Sequence, residues 1–324
     1  MTGISQVAAV GTSAPAQTAA VGTRDFAGRT ELLPIQTLTL TDQQFLTGDS
    51  NGKPTTIAGQ FRVAQGPGRL PVVMLQHGSG GFGPNIEYWS RQLNVAGIST
   101  FAIDGFTGRG FEEVNSNQAL LGRLNFILDI YRALEAIAAH PRVDPQRIAL
   151  MGFSRGAQAT LYAGLKRFQQ TWNKSGVEFA AYLPFYPDCM TSYIGDTDIE
   201  RRPIRIFSGA LDDYNPVSAC KGYVERLKAA GHDVELTEYP SASHAFDNPL
   251  GPQPAELRPA FQSVRNCRIQ EEPGGVLINL ATKRPFSYRD ACVAHGTHVG
   301  HDPVATEAAT LAVKSFLRTV FKLV

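Results

Sequence analysis

The segment RIALMGFSRG, residues 147–156, is the most informative part of this chain of 324 residues about its fold. Residues 148–151 are apolar, which predicts a short buried strand over Arg147–Gly152, and a helical pattern follows over Arg155–Leu165. Between them stands the pattern G-x-S-x-G, whose flanking glycines let a strand turn sharply into a helix. We therefore expect Ser154 on a strained turn, with its hydroxyl at a helix N-terminus, where the helix dipole favours developing negative charge.

Strands and helices alternate on both sides of this turn. Leu70–Leu75 is an uninterrupted apolar run ending at a glycine-rich loop, as in a buried parallel strand. Further strands are expected at Ile35–Leu40, Thr55–Val63, Ile98–Ile103, Phe179–Tyr182, Ile204–Phe207 and Val234–Tyr239, and helices at Tyr88–Ala96, Leu120–Ala139, Ser218–Ala230 and Thr306–Phe321. This alternation predicts an α/β domain over residues 31–324, with a mostly parallel central sheet flanked by helices.

Two segments depart from the alternation. Residues 1–30 are rich in small residues, which predicts a flexible N-terminal tail. Without an early basic residue or a continuous apolar run, they do not form a signal peptide as they stand, although they suit the remainder of one. Residues of about 248–302 separate the last strand from the last helix. Within them Gly274-Gly275 divides two apolar runs, so we expect an insertion that carries a β-hairpin.

Four cysteines bear on the compartment, and none has the C-x-x-C spacing of a zinc or redox site. We expect a Cys267–Cys292 disulfide to staple the insertion, because loops of this length are uncommon unless functional or otherwise held. The other expected pair is Cys189–Cys220. Disulfides favour a periplasmic or secreted protein, whereas four reduced, buried cysteines suit a cytosolic enzyme. The sequence slightly favours export.

Charge and composition limit the partners. The formal net charge is +1, which gives no strong field for attracting nucleic acid or an anionic membrane. No run of about 18 apolar residues is present, so no membrane span is expected. The spacing of His295, His298 and His301 invites a metal interpretation, but no carboxylate or thiolate motif accompanies them. We expect no metal and no cofactor, and a small molecule as the substrate.

A serine is a poor nucleophile until a base activates it. Among the seven histidines, only His244 directly follows the last expected strand, where a G-x-S-x-G fold places its base. The acid is expected after an earlier strand, which selects Asp212, three residues beyond Gly209. Asp213 is the alternative. Such an acid holds the imidazole in the required tautomer and stabilises its cation.

Two backbone N–H groups are expected to stabilise an oxyanion. One belongs to Arg155, the residue after the serine, and the other to Ser79 in the glycine-rich loop, with Gly80 as the alternative.

The same loop permits a competing interpretation. Gly78, Gly80 and Gly83 fit G-x-G-x-x-G, and Asp104 follows about 20 residues later, as in dinucleotide-binding proteins. Against this, Pro84 follows the third glycine, so we expect no helix to open on the motif. A dinucleotide site would also leave the expected serine, histidine and aspartate without a role.

Three residues are predicted to contact substrate. Gly80 allows close approach of the backbone to a ligand. Arg109 is expected near the mouth of the site, where its guanidinium would suit a substrate carboxylate; a structural salt bridge is the stronger alternative. Tyr186, together with Phe185 and Trp172, is predicted to line an acyl pocket, although core packing explains these aromatic residues equally well.

Five stretches of the chain resemble the dienelactone hydrolase family of α/β-hydrolases. They are Gln76–Gly81, Asp104–Gly110, Gly152–Gln158, Gly209–Asp213 and Tyr239–Asp247. The resemblance runs from about Leu70 to Asp247 and includes the final helix, whereas the insertion is foreign to the minimal family fold. It implies an α/β-hydrolase fold with Ser154, Asp212 and His244 as a catalytic triad.

The chain also departs from that family. Its founding members have a cysteine nucleophile and an acidic residue near the oxyanion strand that activates it. Here the nucleophile is Ser154, and Gln76-His77-Gly78 holds no acid, which indicates a serine-nucleophile branch. We expect hydrolysis of a carboxylic ester or lactone through an acyl-enzyme. The alternatives are dienelactone hydrolase-type lactonase activity, amide or peptide hydrolysis or acyl transfer on the same triad, and a non-catalytic binding protein.

Overall fold

The computed structural model describes residues 29–323. The tail expected over residues 1–30 lies outside them except for its last two residues, and Thr30 already begins the first strand. The strands are β1 Thr30–Thr39, β2 Lys53–Arg62, β3 Leu70–Gln76, β4 Ser99–Asp104, β5 Val143–Phe153, β6 Tyr182–Phe185, β7 Thr191–Ser192, β8 Ile204–Gly209, β9 Val234–Tyr239, β10 Glu256–Ser263, β11 Ile269–Glu272, β12 Val276–Asn279, β13 Arg284–Pro285 and β14 Ala294–Val299.

Eight of these strands form the main sheet, in the order β1-β2-β4-β3-β5-β6-β8-β9. β2 pairs antiparallel with both β1 and β4. From β4 to β9 every pairing is parallel, so each connection must cross over the sheet. The prediction of a mostly parallel sheet flanked by helices, in an α/β-hydrolase fold, is confirmed.

Seven α-helices occur within residues 29–323. They are α1 Asp42–Thr47, α2 Pro84–Val95, α3 Asn125–Ala138, α4 Arg155–Tyr162, α5 Lys166–Trp172, α6 Val217–Ala229 and α7 Pro303–Phe321, with short 3₁₀ turns at Thr107–Arg109 and Gln118–Leu120. None of the helices in the described part of the chain has the length and apolar character needed to span a bilayer.

Helices cover both faces of the sheet, and β3 shows why its sequence is continuously apolar. Val72 and Met74 belong to the core that includes α3, whereas Val73 and Leu75 belong to the core that includes α2 and α7. Successive side chains of a strand point to opposite faces. A strand with a core on each side must therefore be apolar at every position.

Two local expectations are wrong. The strand expected at Phe179–Tyr182 lies three residues later, as β6, because Phe179 is buried as core before the ladder begins. A helix does open after Gly83: Pro84 is the first residue of α2. Proline is favoured at that position, since its missing N–H has no partner in the first helical turn and its φ is already helical.

The segment of residues 248–302 folds as two small sheets. β10 and β14 pair antiparallel, and β11 and β12 form the expected hairpin. Gly274 and Gly275 adopt positive φ values of 82° and 73° at its turn, where glycine has no steric penalty. The structure joins Cys267 to Cys292 within this segment, and Cys189 to Cys220 between the loop after β6 and α6.

Candidate active site

The turn between β5 and α4 forces Ser154 into an unusual backbone conformation, with φ 54° and ψ −115°. A Cβ on Gly152 would lie 2.2 Å from the carbonyl oxygen of Gly156, and a Cβ on Gly156 would lie 2.2 Å from that of Gln76. Contacts this short are impossible, so only glycine fits on either side of the serine. The close packing at both glycines holds the backbone of Ser154 in its strained conformation.

His244 lies within hydrogen-bonding distance of two side chains that were expected to join it. Its Nε2 is 3.0 Å from Ser154 Oγ, and its Nδ1 is 2.8 Å from Asp212 Oδ2. In this arrangement Nδ1–H donates to the carboxylate, which leaves Nε2 free to accept the serine proton. The structure therefore brings together the three side chains that were predicted from the sequence.

Asp212 and His244 are themselves held from several sides. Asp212 Oδ1 accepts the N–H groups of Tyr214 and Asn215, each at 2.8 Å. The rings of Tyr186 and Tyr214 lie 4.7 and 4.6 Å from the His244 ring. These contacts fix the orientation of the carboxylate and of the imidazole before any substrate arrives, as an acid–base pair requires.

The loop after β3 lies directly on the serine turn. A Cβ on Gly78 would be 3.1 Å from the Cβ of Ser154, so a larger residue would push the loop away. Within residues 29–323, the N–H groups of Ser79 and Arg155 donate to no protein acceptor. Two unpaired donors beside a nucleophile are the requirement for stabilising an oxyanion.

Gln118 connects this loop to the rest of the site, and sequence reasoning missed it. Its Oε1 accepts hydrogen bonds from Ser79 Oγ at 3.0 Å and Arg155 Nη2 at 2.9 Å, while its Nε2 donates to Tyr214 Oη at 2.9 Å. No motif surrounds Gln118 in the sequence. Only in the folded structure, where the loop after β4 lies against α4, does Gln118 come within hydrogen-bonding distance of Ser79 and Arg155.

A pocket of about 300 Å³ opens over the serine. Ser154, His244, Gly80 and Tyr186 line its floor, so Gly80 and Tyr186 do lie where substrate contact was predicted. The opposite wall comes from the segment of residues 248–302. That wall contains Leu250, Arg258, Phe261 and Val299, none of which the sequence nominated.

Tyr186 is held by a buried carboxylate beneath the pocket. Its Oη donates to Asp247 Oδ1 at 2.6 Å, and Trp89 Nε1 donates to Asp247 Oδ2 at 2.7 Å. Burial raises the pKa of the Asp247 carboxyl, against the effect of these two hydrogen bonds. Phe185 and Trp172, by contrast, pack in the two cores and do not line this pocket.

Arg109 does not reach the pocket. All five of its N–H donors are occupied, and they bind the Asp129 carboxylate at 2.7 and 2.9 Å, the carbonyl oxygens of Leu38 and Gly105, and Thr39 Oγ1. The side chains of Arg109 and Asp129 are 2% and 0% exposed. The prediction that Arg109 contacts substrate is therefore not retained, and the salt-bridge alternative describes this residue.

Two other acids have structural partners. Asp213 binds the backbone N–H and the Nδ1 of His298, at 2.7 and 2.8 Å, so it faces the inserted segment and not His244. Asp104 Oδ1 accepts the N–H groups of Phe106 and Thr107, both at 3.0 Å, so this oxygen is already bound within its own loop. Among the described residues, no cluster of three or more acidic, histidine or cysteine side chains could hold a metal ion.

Comparisons with known proteins identify the family of this chain and several hydrolases that resemble it. The sequence profile of the dienelactone hydrolase family matches residues 57–267, more than half of the chain. An uncharacterized peptidase of Bacillus subtilis, YuxL, is 25% identical over 56% of this chain and 32% of its own length. Acyl-protein thioesterase 1 of Gibberella zeae is 31% identical over 32% of this chain and 43% of its own length. The matched region thus spans less than half of either curated relative.

Among solved structures, a dienelactone hydrolase-like promiscuous phosphotriesterase from metagenomic libraries superposes with a TM-score of 0.57. It covers 90% of this chain and 99% of its own, at 16% sequence identity. Similarity at this level of identity establishes the shared fold only.

Proposed function

Because this chain belongs to the dienelactone hydrolase family, in which it is a hydrolase, we propose that it cleaves a carboxylic ester or lactone through an acyl-enzyme on Ser154. The observation that carries the proposal is the continuous series of hydrogen bonds from Ser154 Oγ through His244 to Asp212. These three side chains supply a nucleophile, a base and an orienting acid in mutually compatible positions.

In the first step Ser154 Oγ bonds to the substrate carbonyl carbon, and its proton passes to His244 Nε2. The C–O bond to the leaving alcohol then breaks, and Nε2 returns the proton to the alcohol oxygen. Water repeats the sequence: it loses a proton to Nε2, attacks the acyl carbon and releases Ser154 with its proton restored. Asp212 stays ionised and stabilises the imidazolium throughout.

The oxyanion formed in each step needs donors placed in advance. We assign this role to the backbone N–H groups of Ser79 and Arg155, which lie on either side of the serine turn. Gln118 supports them, because it fixes the side chains of both residues at once. Removal of one such donor typically costs 10²–10³ in kcat.

The other reactions considered for this triad use the same first step. A peptidase and a thioesterase are among the similar proteins, so amide and thioester substrates belong in any assay panel. A non-catalytic binding role has no support in the geometry, because binding alone requires neither the strained serine nor the buried histidine–aspartate pair.

Labelling by a fluorophosphonate probe tests the proposal most directly. The wild-type chain should be labelled and should turn over p-nitrophenyl acetate, whereas Ser154→Ala should lose both properties and keep its melting temperature. Ser315→Ala, at an exposed serine of α7, is the matched control and should behave as wild type. Turnover of the acetate by Ser154→Ala at the wild-type rate would reject Ser154 as the nucleophile.

We propose further that the protein works in an oxidising compartment, periplasmic or extracellular. The two disulfides support this, since such bonds persist where thiols are not kept reduced. Intact mass of the protein purified from its native source, with and without reductant, should differ by four hydrogen atoms. Four free thiols in that material would contradict the proposal.

A further inference from the structure

Ser154 lines two cavities of very different size. One is the pocket of about 300 Å³ described above, and the other has a volume of about 30 Å³. Both also contact Ser79 and Tyr214. Of the described residues, His244 lines only the large pocket, whereas Arg123, Arg155 and Gln158 line only the small cavity.

The position of His244 assigns the two halves of an ester to these cavities. The leaving alcohol must receive its proton from His244 Nε2, so it must depart through the pocket that His244 lines. The substituent on the acyl carbon then points away from His244. The small cavity is lined by Ser154 and not by His244, so it is the cavity available to that substituent.

The small cavity is unusually rich in unpaired donors. Arg123 Nε, Arg123 Nη1 and Gln158 Nε2 are buried and have no hydrogen-bond partner within residues 29–323. Arg123 and Gln158 are 4% and 3% exposed. Buried donors without acceptors are rare in folded proteins, because a donor that loses its water without gaining an acceptor destabilises the fold. A ligand with an acceptor atom would satisfy them.

The charge and size of the cavity limit that ligand. Asp188 forms an ion pair with Arg123 through Nη2, so the guanidinium charge already has a counter-ion and a neutral acceptor suffices. One water molecule needs about 10–15 Å³ of such volume, so there is room for about two to three atoms of that size. A long alkyl chain fits neither the volume nor the polarity.

We propose that the small cavity is the acyl subsite, and that it selects short acyl groups carrying a neutral oxygen acceptor two atoms from the carbonyl carbon. The inference rests on the proposed esterase function. It makes Arg123 and Gln158 specificity-determining residues and leaves larger, more varied groups to the alcohol side of the substrate.

Two isosteric esters test the inference. p-Nitrophenyl methoxyacetate and butyrate differ by one ether oxygen in place of a methylene group, and each kcat/KM is divided by the rate constant for hydroxide-catalysed hydrolysis to remove intrinsic reactivity. We expect the corrected ratio to favour methoxyacetate by about tenfold or more, because a hydrogen bond from a charged donor is stronger than one between neutral groups. The hexanoate should react more slowly than the butyrate.

Two variants connect the preference to its residues. Gln158→Met keeps the volume but removes the donor, and Arg123→Lys keeps the charge beside Asp188 but removes Nε and Nη1; both should lower the corrected ratio. Gln170→Met, at an exposed glutamine of α5, is the matched control and should leave the ratio unchanged. Melting temperatures identify a variant that fails to fold, and the other variant then decides.

A corrected ratio near one in the wild-type protein, or hexanoate turnover as fast as that of butyrate, would overturn the acyl-subsite assignment. Such a result with normal acetate turnover leaves the esterase proposal intact. Absence of turnover of every ester, with no fluorophosphonate labelling, would instead reject the proposed function itself.

Discussion

At the scale of single residues, the site depends on positions whose close surroundings restrict which residue can occupy them. Gly152, Gly156 and Gly78 are required because neighbouring backbone or the nucleophile occupies the place of a side chain. The surroundings of His77 likewise restrict its side chain, because both ring nitrogens are hydrogen-bonded to the backbone. Its Nδ1 donates to the Gly78 carbonyl oxygen at 2.7 Å, and its Nε2 accepts the Gly105 N–H at 3.0 Å.

The free energy of unfolding should depend on pH, because His77 is neutral when it is buried in the folded state. Burial lowers the pKa of His77 from 6.5 to about 4. The folded state therefore binds fewer protons than the unfolded state, so the contribution of His77 is complete above pH 6.5 and is lost as the pH falls towards 4. It amounts to about 3 kcal/mol over that interval.

Denaturant unfolding of the wild type and His77→Gln at several pH values between 7 and 4 measures this contribution. The difference between the two free energies of unfolding should shrink as the pH falls. His295→Gln, at an exposed histidine of the inserted segment, is the control and should follow the wild type. A constant difference between wild type and His77→Gln would show that His77 does not titrate on unfolding.

At the scale of elements, the segment of residues 248–302 is part of the candidate site. The N–H of Gly300, just after β14, donates to the carbonyl oxygen of His244 at 3.1 Å, and Arg265 Nη1 donates to that of Asp213 at 2.7 Å. The segment therefore contacts both loops that carry the acid and the base. The segment also contributes few residues to the hydrophobic cores. We therefore expect the Cys267–Cys292 disulfide to contribute much of its stability.

Removal of the Cys267–Cys292 disulfide should loosen this segment. The bond closes a loop with a sequence separation of 25 residues, for which the expected stabilisation is about 3 kcal/mol. In the double variant Cys267→Ser, Cys292→Ser, hydrogen exchange should quicken in β10 and β14 and remain slow in β5.

Esterase turnover of this double variant should fall together with that protection, because the Gly300 contact with the base loop weakens. The double variant Cys189→Ser, Cys220→Ser is the matched control, since its disulfide lies outside the segment. Unchanged exchange in β10 and β14 after loss of Cys267–Cys292 would mean that the two small sheets are held by pairing and packing alone.

At the scale of the whole molecule, one buried ion pair ties distant parts of the chain together. Arg109 follows β4, Asp129 lies in α3, and the carbonyl oxygen of Leu38 near the end of β1 accepts a third hydrogen bond. Thr37 Oγ1 also donates to Asp129 Oδ1, at 2.8 Å. These bonds join the antiparallel edge of the sheet to the helix that covers it.

Replacement of Arg109 alone should be costly, because Asp129 would remain as a buried charge without a partner. We expect Arg109→Met to lower the free energy of unfolding by about 3–5 kcal/mol, and Arg109→Met with Asp129→Leu to lower it by less. Neither should alter the ratio of kcat/KM for neutral and acidic esters. A selective loss of the acidic ester in Arg109→Met would return Arg109 to the list of substrate-binding residues.

Sequence patterns alone predicted the α/β order, the G-x-S-x-G turn and the three side chains, Ser154, Asp212 and His244, that the structure brings together. Each of these depends on a local pattern or on a fixed order along the chain. The hairpin at Gly274-Gly275 was predictable for the same reason, since two consecutive glycines mark a turn wherever they fall.

Which side chains meet across long separations in the chain could be read only from the folded structure. Gln118, the cavity beside Arg123 and the pocket wall around Phe261 carry no local signal. The sequence around Arg109 suits either a substrate carboxylate or a salt bridge, and the structure pairs it with Asp129. The physical reason is that a polar side chain has the same local sequence whether its partner is a ligand or another part of the protein. Burial and distance alone distinguish the two.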